Sequence, residues 1–398
     1  MINTEKAHQL VQEHLLQLGT ENIPFDRALG RVSAEPIRAD RDLPPFDRVT
    51  MDGIALNTAH FDFNSRQGEI EALRGAGEAE YTLKDQTKVV EIMTGSPLPK
   101  NTDAVVMYEQ IEKKGGIVRL SEEVKRFQNI HPQGKDAKKG QVLLEKGRVI
   151  GAVELGLLAA VGQTKLKVVS WPRIALVATG NELVSPHERP GPQQIRVSNV
   201  YSLQAALQGM GIPSTVHHLR DDTEQLKQNF KDLLSHNDLL LCSGGVSKGR
   251  FDFLPAILPE LGIKNIFHRV AQKPGKPLWF GANTSENKVV FALPGNPAST
   301  YANFILYVVP WLRACLGLGT DQTEISLGEE MANSTDLTRY LRVYLKNAKG
   351  MTHAFLRQDN GSGDLVSLAQ ADGLITLAPG QKAGVGERLP YNALNLQL

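Results

Sequence analysis

The chain has 398 residues, 44 Lys+Arg against 43 Asp+Glu, and a formal net charge of +1. At about 150 residues per domain the length sets aside a single core, and near-neutrality sets aside a global field that draws in nucleic acid or an anionic membrane. Its two cysteines, Cys242 and Cys315, cannot build a disulfide framework or a cysteine zinc cage, which suits a reducing cytoplasm.

Residues 1–13 are polar, without the apolar core of a signal peptide. Thr4 can cap a helix with Ala7, Leu10, Val11 and Leu15 on one face, and Gly19 stops it. Residues 20–40 carry short apolar patches. From 41 to 140 Pro and Gly recur, and Val89-Val90-Glu91-Ile92 and Ala104-Val105-Val106-Met107 read as strands of a small β-rich unit, with a turn at Gly115-Gly116. Residues 150–161 suggest a helix. That stretch is interrupted by Glu154 and 304–312 by Pro310, so neither reaches the 18 or so uncharged residues of a membrane span. From Trp171 strand and helix patterns alternate. Ile174-Ala175-Leu176-Val177-Ala178, ending at Thr179-Gly180, Leu239-Leu240-Leu241-Cys242 and Val289-Val290-Phe291-Ala292-Leu293 are buried-type strands. Helices follow from Ser198, from Thr223, and from Asn296 as N-cap with Pro297 in the first turn. This alternation predicts a doubly wound parallel sheet. Beyond about 320, the Leu341-Val343-Leu345 alternation and recurrent glycines indicate a C-terminal β unit.

Three Gly-bearing loops follow the three candidate strands: Thr179-Gly180-Asn181-Glu182, Ser243-Gly244-Gly245-Val246-Ser247-Lys248-Gly249, and Pro294-Gly295-Asn296-Pro297-Ala298-Ser299. In such sheets the C-terminal strand ends face one crevice, where backbone N–H groups favour phosphate. One such loop is an ordinary turn; three in register favour an anion site. Gln272-Lys273-Pro274-Gly275-Lys276-Pro277 precedes the third strand, and its two lysines, stiffened by prolines, suit two anionic groups. Asp52, Glu182, Asp222 and Asp252 stand near loops. Carboxylates facing a phosphate site suit Mg2+, although Asp222 reads equally well as a cap for the helix from Thr223. Asp52 precedes Gly53, read as a tight turn that aims the carboxylate outward, against the plainer reading of a turn-capping residue. His8, His14, His187, His217, His218 and His268 show no metal-ligand spacing. No GxGxxG, P-loop or GxSxG occurs in a fitting context, which argues against a dinucleotide dehydrogenase, a P-loop NTPase and an α/β-hydrolase.

In this order the motifs resemble the molybdopterin molybdenumtransferase family, which includes MoeA and the E domain of gephyrin. The matching stretches are Pro44-Pro45-Phe46-Asp47 with Met51-Asp52-Gly53, Met93-Thr94-Gly95-Ser96-Pro97 with Asp103, Ala178-Thr179-Gly180-Asn181-Glu182-Leu183, and Ser198-Asn199. They continue with Arg220-Asp221-Asp222, the Ser243 loop, the 273–277 lysine loop, Leu293-Pro294-Gly295-Asn296-Pro297 with Ser299, and Gly361-Ser362-Gly363. The family usually reads Asn-Ser-Ala between the Asp of Phe46-Asp47 and Met51-Asp52-Gly53; here Arg48-Val49-Thr50 stands there, and Ile54 replaces its Tyr.

The resemblance implies a multidomain α/β protein. Residues 1–19 and 171–318 would form a doubly wound α/β molybdopterin-binding domain, 20–40 and 141–170 an elongated linker domain, 41–140 a β-rich domain, and 319–398 a C-terminal barrel-like β domain. It implies an elongated homodimer whose active site lies between the α/β domain of one subunit and the β domain of the other. It also implies the last step of molybdenum cofactor synthesis: molybdate is inserted into adenylylated molybdopterin, and AMP is released with Mg2+ assistance. Asp52, Thr94, Glu182, Asp222 and Asp252 would be catalytic, with Glu182, Asp222 and Asp252 holding Mg2+. Gly180, Asn181, Ser198, Asn199, Ser243, Gly244, Gly245, Ser247, Gly249, Lys273, Pro274, Lys276, Pro294, Asn296, Pro297 and Ser299 would bind the substrates. Molybdopterin adenylyltransferase would act upstream, and apo-molybdoenzymes or their chaperones would receive the product, with no nucleic acid or membrane partner. The alternatives are a non-catalytic scaffold or binding paralogue on the same fold, and an adenylyltransferase acting one step earlier; the extra β units argue against the second.

Overall fold

The computed structural model describes residues 1–246, 253–319, 322–348 and 350–396. Its α/β unit is a 6-stranded sheet in the order Thr215–Leu219, Ile174–Thr179, Leu239–Ser243, Lys288–Leu293, Trp279–Asn283, Lys264–His268. The first four are parallel, with Ala178 opposite Ser243 and Ser243 opposite Leu293, so three loops leave the sheet at one level. The last two run antiparallel to their neighbours, which corrects the expected all-parallel sheet. Trp279–Asn283 is a strand that the sequence pattern does not mark. It directly follows the lysine loop and turns at 284–287 into Lys288–Leu293, so the lysine loop precedes this strand rather than the third parallel one.

Alternate residues of the central strands enter two cores. Ile174, Leu176, Leu239, Leu241, Phe291 and Leu293 pack with Ala7, Val11, Leu203 and Leu207, which brings the N-terminal helix onto this sheet. Ala175, Val177, Leu240, Cys242, Val290 and Ala292 pack on the other face with Leu226, Phe230 and Ile257. Burial on both faces is why these strands are continuous apolar runs. The first helix, Thr4–Gln12, is capped by Asn3 rather than Thr4: the Asn3 side chain accepts from Lys6 N at 2.8 Å. It ends well before Gly19, leaving Leu15 outside it.

The β-rich unit is a second 6-stranded sheet, in the order Ala104–Met107, Gly53–Leu56, Val89–Ile92, Gln67–Arg74, Ile117–Leu120, Ile111–Lys114. Here Gly53 is not the turn residue expected of it. It starts a strand, and a Cβ there would lie 1.9 Å from Val106 O, so close strand approach requires the glycine. Thr20–Pro24 pairs with Lys165–Val169, and Ile37–Arg38 with Val142–Leu144. Together with the helix Ala152–Ala160 they enclose a core of Ile23, Ile37, Ile150, Leu158 and Leu166.

The C-terminal strands Thr323–Leu327, Thr338–Ala348, Met351–Leu356, Gly373–Leu377 and Arg388–Ala393 close into a barrel, because Thr338–Ala348 pairs with both Met351–Leu356 and Gly373–Leu377. Gln272–Lys273 adds in parallel to Thr338–Arg339, which docks the lysine loop on the barrel. Among the described residues no helix is long and apolar enough to cross a membrane.

Candidate active site

The ends of the parallel strands open into a cleft of about 370 Å³ lined by Thr179, Gly180, Glu182, Asp221, Gly244 and Gly245, with Pro277, Pro294, Gly295 and Asn296 opposite. The Glu182 carboxylate folds back over Gly180, within 2.6 Å of where a Cβ on that glycine would sit. Asn181 Oδ1 accepts from Asp221 N at 3.2 Å, tying the first loop to the segment after Thr215–Leu219. Thr179 is 6% exposed, and its Oγ1 has no hydrogen-bond partner among the described residues. An orphaned buried hydroxyl on a cleft wall suits a polar ligand. Asn199 Nδ2 donates to Ser243 Oγ at 2.8 Å and to Gly295 O at 2.7 Å, locking the second loop to the third.

Pro277, Pro294 and Asn296 also line a second cleft, of about 390 Å³, so the two are continuous. This second part holds Lys273, Pro274, Lys276 and Ser299, with Arg339, Arg342 and Ser362 from the barrel. Both lysines are exposed and form no ion pair among the described residues. Arg342, 3% exposed, donates to Gly361 O at 2.9 Å and to Ser367 Oγ, and so holds the 359–364 loop. Asn296 occupies the expected N-cap position of Pro297–Asn303 but makes no cap bond; its Nδ2 donates to Ser362 Oγ at 2.8 Å instead. The first part of the cleft therefore presents Glu182 and Asp221, and the second presents Lys273, Lys276 and Arg339, while Arg342 is paired at 4.0 Å with Asp359, which lines the same part.

The remaining expected residues fall into four groups. Asp222 is the N-cap of Thr223–His236, accepting from Gln225 N at 2.9 Å, whereas its neighbour Asp221 lines the cleft. Ser198 stands at the N-cap of Asn199–Gly209 without a side-chain capping bond, and Pro297 opens its own helix. Ser247, Gly249 and Asp252 lie outside the described residues. Asp52 and Thr94 are exposed in the β-rich unit and line neither cleft. There Asp52 Oδ1 accepts from Thr94 N at 2.6 Å, and the Thr94 backbone N–H and then its side chain hold the Asp52 carboxyl below the usual range. Sequence reasoning missed Asp221, Arg339 and Arg342, and gave Ser362 no role. The Asp221-Asp222 doublet held the signal for the first. The arginines are brought in by the Gln272–Lys273 pairing, which leaves no local motif.

Two carboxylates on one cleft, Glu182 and Asp221, fit Mg2+ bound with substrate phosphates, since this ion keeps most of its water and needs one or two protein carboxylates. No cluster of three or more metal-ligating side chains occurs among the described residues.

Family models match the chain along its length: the MoeA N-terminal region (domain I and II) over residues 2–162, the probable molybdopterin binding domain over 175–314, and the MoeA C-terminal region (domain IV) over 324–394. A molybdopterin molybdenumtransferase from Synechocystis is 34% identical over 99% of this chain and 100% of its own length. One from Staphylococcus epidermidis is 31% identical over 96% of this chain and 92% of its own length. The crystal structure of a molybdopterin biosynthesis MoeA protein from Pyrococcus horikoshii is similar at a TM-score of 0.82 and 31% identity, covering 99% of both chains. With its α/β sheet, β-rich unit and closed C-terminal barrel in that arrangement, the chain belongs to the MoeA family of molybdopterin molybdenumtransferases.

Proposed function

We propose that this chain inserts molybdenum into molybdopterin, using adenylylated molybdopterin and molybdate as substrates and releasing AMP. The observation that carries the reading is the polarity of the continuous cleft: Glu182 and Asp221 at one end, and at the other Lys273, Lys276 and Arg339, where the one lining carboxylate, Asp359, is paired with Arg342. A dianionic oxyanion is drawn to the cationic end. A pyrophosphate settles between the loops after Ile174–Thr179, Leu239–Ser243 and Lys288–Leu293, where backbone N–H groups meet it. Glu182 and Asp221 would hold Mg2+, which when bound neutralises phosphate charge and polarises the phosphoanhydride. The loops orient the anhydride for attack by water at phosphorus, which breaks the P–O–P bridge and frees AMP. The dithiolene sulfurs displace oxygens of molybdate, which leave as water or hydroxide.

The same reading keeps residues 1–19 with 171–318, 20–40 with 141–170, 41–140 and 319–398 as four domains, and places the protein in the cytoplasm. It makes the active unit a homodimer in which Asp52 and Thr94 of a second copy face this cleft. The support is that both residues are exposed and line neither cleft of their own chain. Asp52, ionised through its bond from Thr94 N, would then orient the water. Molybdopterin adenylyltransferase supplies the substrate, and apo-molybdoenzymes or their chaperones take the product. The test is AMP release from adenylylated molybdopterin by the purified protein. Release that needs both molybdate and Mg2+ is expected; release at the same rate without molybdate contradicts the coupling.

A further inference from the structure

Pro274 and Pro277 have no N–H, so the 273–277 loop has few donors of its own with which to fix its backbone. Its start is paired with Thr338–Arg339 and its Lys276 carbonyl accepts from Val270 N at 3.0 Å, while the two carbonyls between are bound by side-chain amides. Gln272 Nε2 donates to Pro274 O at 3.2 Å, and Asn303 Nδ2 donates to Gly275 O at 3.0 Å. The amides also bind each other, Gln272 Nε2 donating to Asn303 Oδ1 at 2.7 Å. The Tyr307 hydroxyl donates to Gln272 Oε1, which fixes the end of that amide facing the loop. Gln272, Asn303 and Tyr307 are each 0% exposed. A buried polar set of this kind is costly unless every member is satisfied, so it holds one arrangement.

The backbone geometry agrees. Asn303 ends the helix Pro297–Asn303, and Tyr307 lies in the π-helical turn Phe304–Val308 that follows. Such turns are rare and recur at functional sites. Gly275 has φ +87, and a Cβ on it would lie 2.5 Å from Asn303 Oδ1, so the loop backbone rests directly on the amide. Lys273 and Lys276, by contrast, are exposed and form no ion pair among the described residues. The braced backbone fixes where the two flexible lysine stems begin, and so the region that their ammonium groups can share.

We propose that Asn303, with Gln272 and Tyr307, is a positioning residue for the lysine loop: the buried amides set the spacing of Lys273 and Lys276 and so the affinity for a tetrahedral dianion. This rests on the reading of that loop as the molybdate end of the cleft. The side-chain bonds of the brace go to the lysine loop and to one another, and none goes to the three Gly loops.

The test uses full-length Asn303→Leu, Tyr307→Phe and Lys276→Ala, with melting temperatures, calorimetric molybdate binding, and molybdate KM and kcat from AMP release. Asn303→Leu is expected to raise molybdate Kd and KM about tenfold, with kcat falling less than about threefold and affinity for adenylylated molybdopterin kept within about twofold. Tyr307→Phe leaves both loop bonds in place and is expected to raise molybdate KM only about threefold. A folded Asn303→Leu protein with molybdate KM within about twofold of the parent overturns the brace, as does equal weakening of both substrates. If Asn303→Leu does not fold, an unchanged molybdate KM in Tyr307→Phe overturns it. Lys276→Ala separates the two levels. If it leaves molybdate binding unchanged, the assignment of the loop to molybdate is wrong and the brace falls with it. If it weakens molybdate binding while Asn303→Leu does not, only the brace fails.

Discussion

Asp221 and Asp222 are adjacent in sequence and occupy different places in the structure, which gives a pair of substitutions with opposite expected outcomes. Asp222 accepts from Gln225 N at 2.9 Å as the N-cap of a 14-residue helix whose Leu226, Phe230 and Leu234 are buried. Asp222→Ala loses that acceptor and should cost about 1 kcal/mol. For an α/β unit of this size the cost lowers its melting temperature by about 2–4 °C. Asp222→Asn keeps an acceptor of the same reach and should stay within a few tenths of a kcal/mol. Neither change should slow AMP release more than about threefold, which is under 1 kcal/mol of barrier. Asp221 faces the cleft beside Glu182. Asp221→Asn is nearly isosteric and should leave melting unchanged, but removing its charge should slow AMP release on the order of a hundredfold, about 2.7 kcal/mol. Single-turnover AMP release with parallel thermal melts decides. A slow but normally melting Asp222→Asn, beside an active Asp221→Asn, would refute the assignment drawn from the cleft.

Three further outcomes follow. Asp52→Asn keeps an acceptor for Thr94 N, so melting should be unchanged while turnover falls on the order of a hundredfold; a rate within about threefold of the parent would reduce Asp52 to a turn residue. Light scattering at micromolar protein should give a dimer, and monomer alone would contradict the shared cleft. Burial lowers the His8 pKa to about 4 where its ring stacks on Tyr307 at 4.4 Å. Below the unfolded value of 6.5 the unfolded chain takes up a proton that the folded chain refuses, so stability present above about pH 6.5 should be lost as pH falls toward 4, by on the order of 3 kcal/mol. His8→Phe should flatten that acid limb of the melting curve; an unchanged limb would show that His8 is not its source.

The parallel core was legible because burial on both faces writes itself as unbroken apolar runs, as in Leu239-Leu240-Leu241-Cys242. The three Gly loops were legible for the same reason, since each ends such a run. Trp279–Asn283 was not. It is short, holds a glycine, and is framed by a proline and a turn, so neither length nor period distinguishes it. Gly53 was misread because a close strand approach and a tight turn both select glycine, and only the Val106 O distance separates them. Asp222 drew attention as an acid before a helix, and that position is also what a capping residue occupies. The cationic end was half legible: the lysines sit in one motif, while Arg339 and Arg342 arrive from the barrel through a pairing distant in sequence.

In the proposed reaction this cleft joins molybdenum to molybdopterin. The purified protein should be incubated with adenylylated molybdopterin, molybdate and Mg2+, and pterin-bound molybdenum measured against AMP released. One molybdenum bound per AMP is expected, with both falling together in Asp221→Asn. AMP released without molybdenum entering the dithiolene, or neither product formed by a folded dimer, would contradict it.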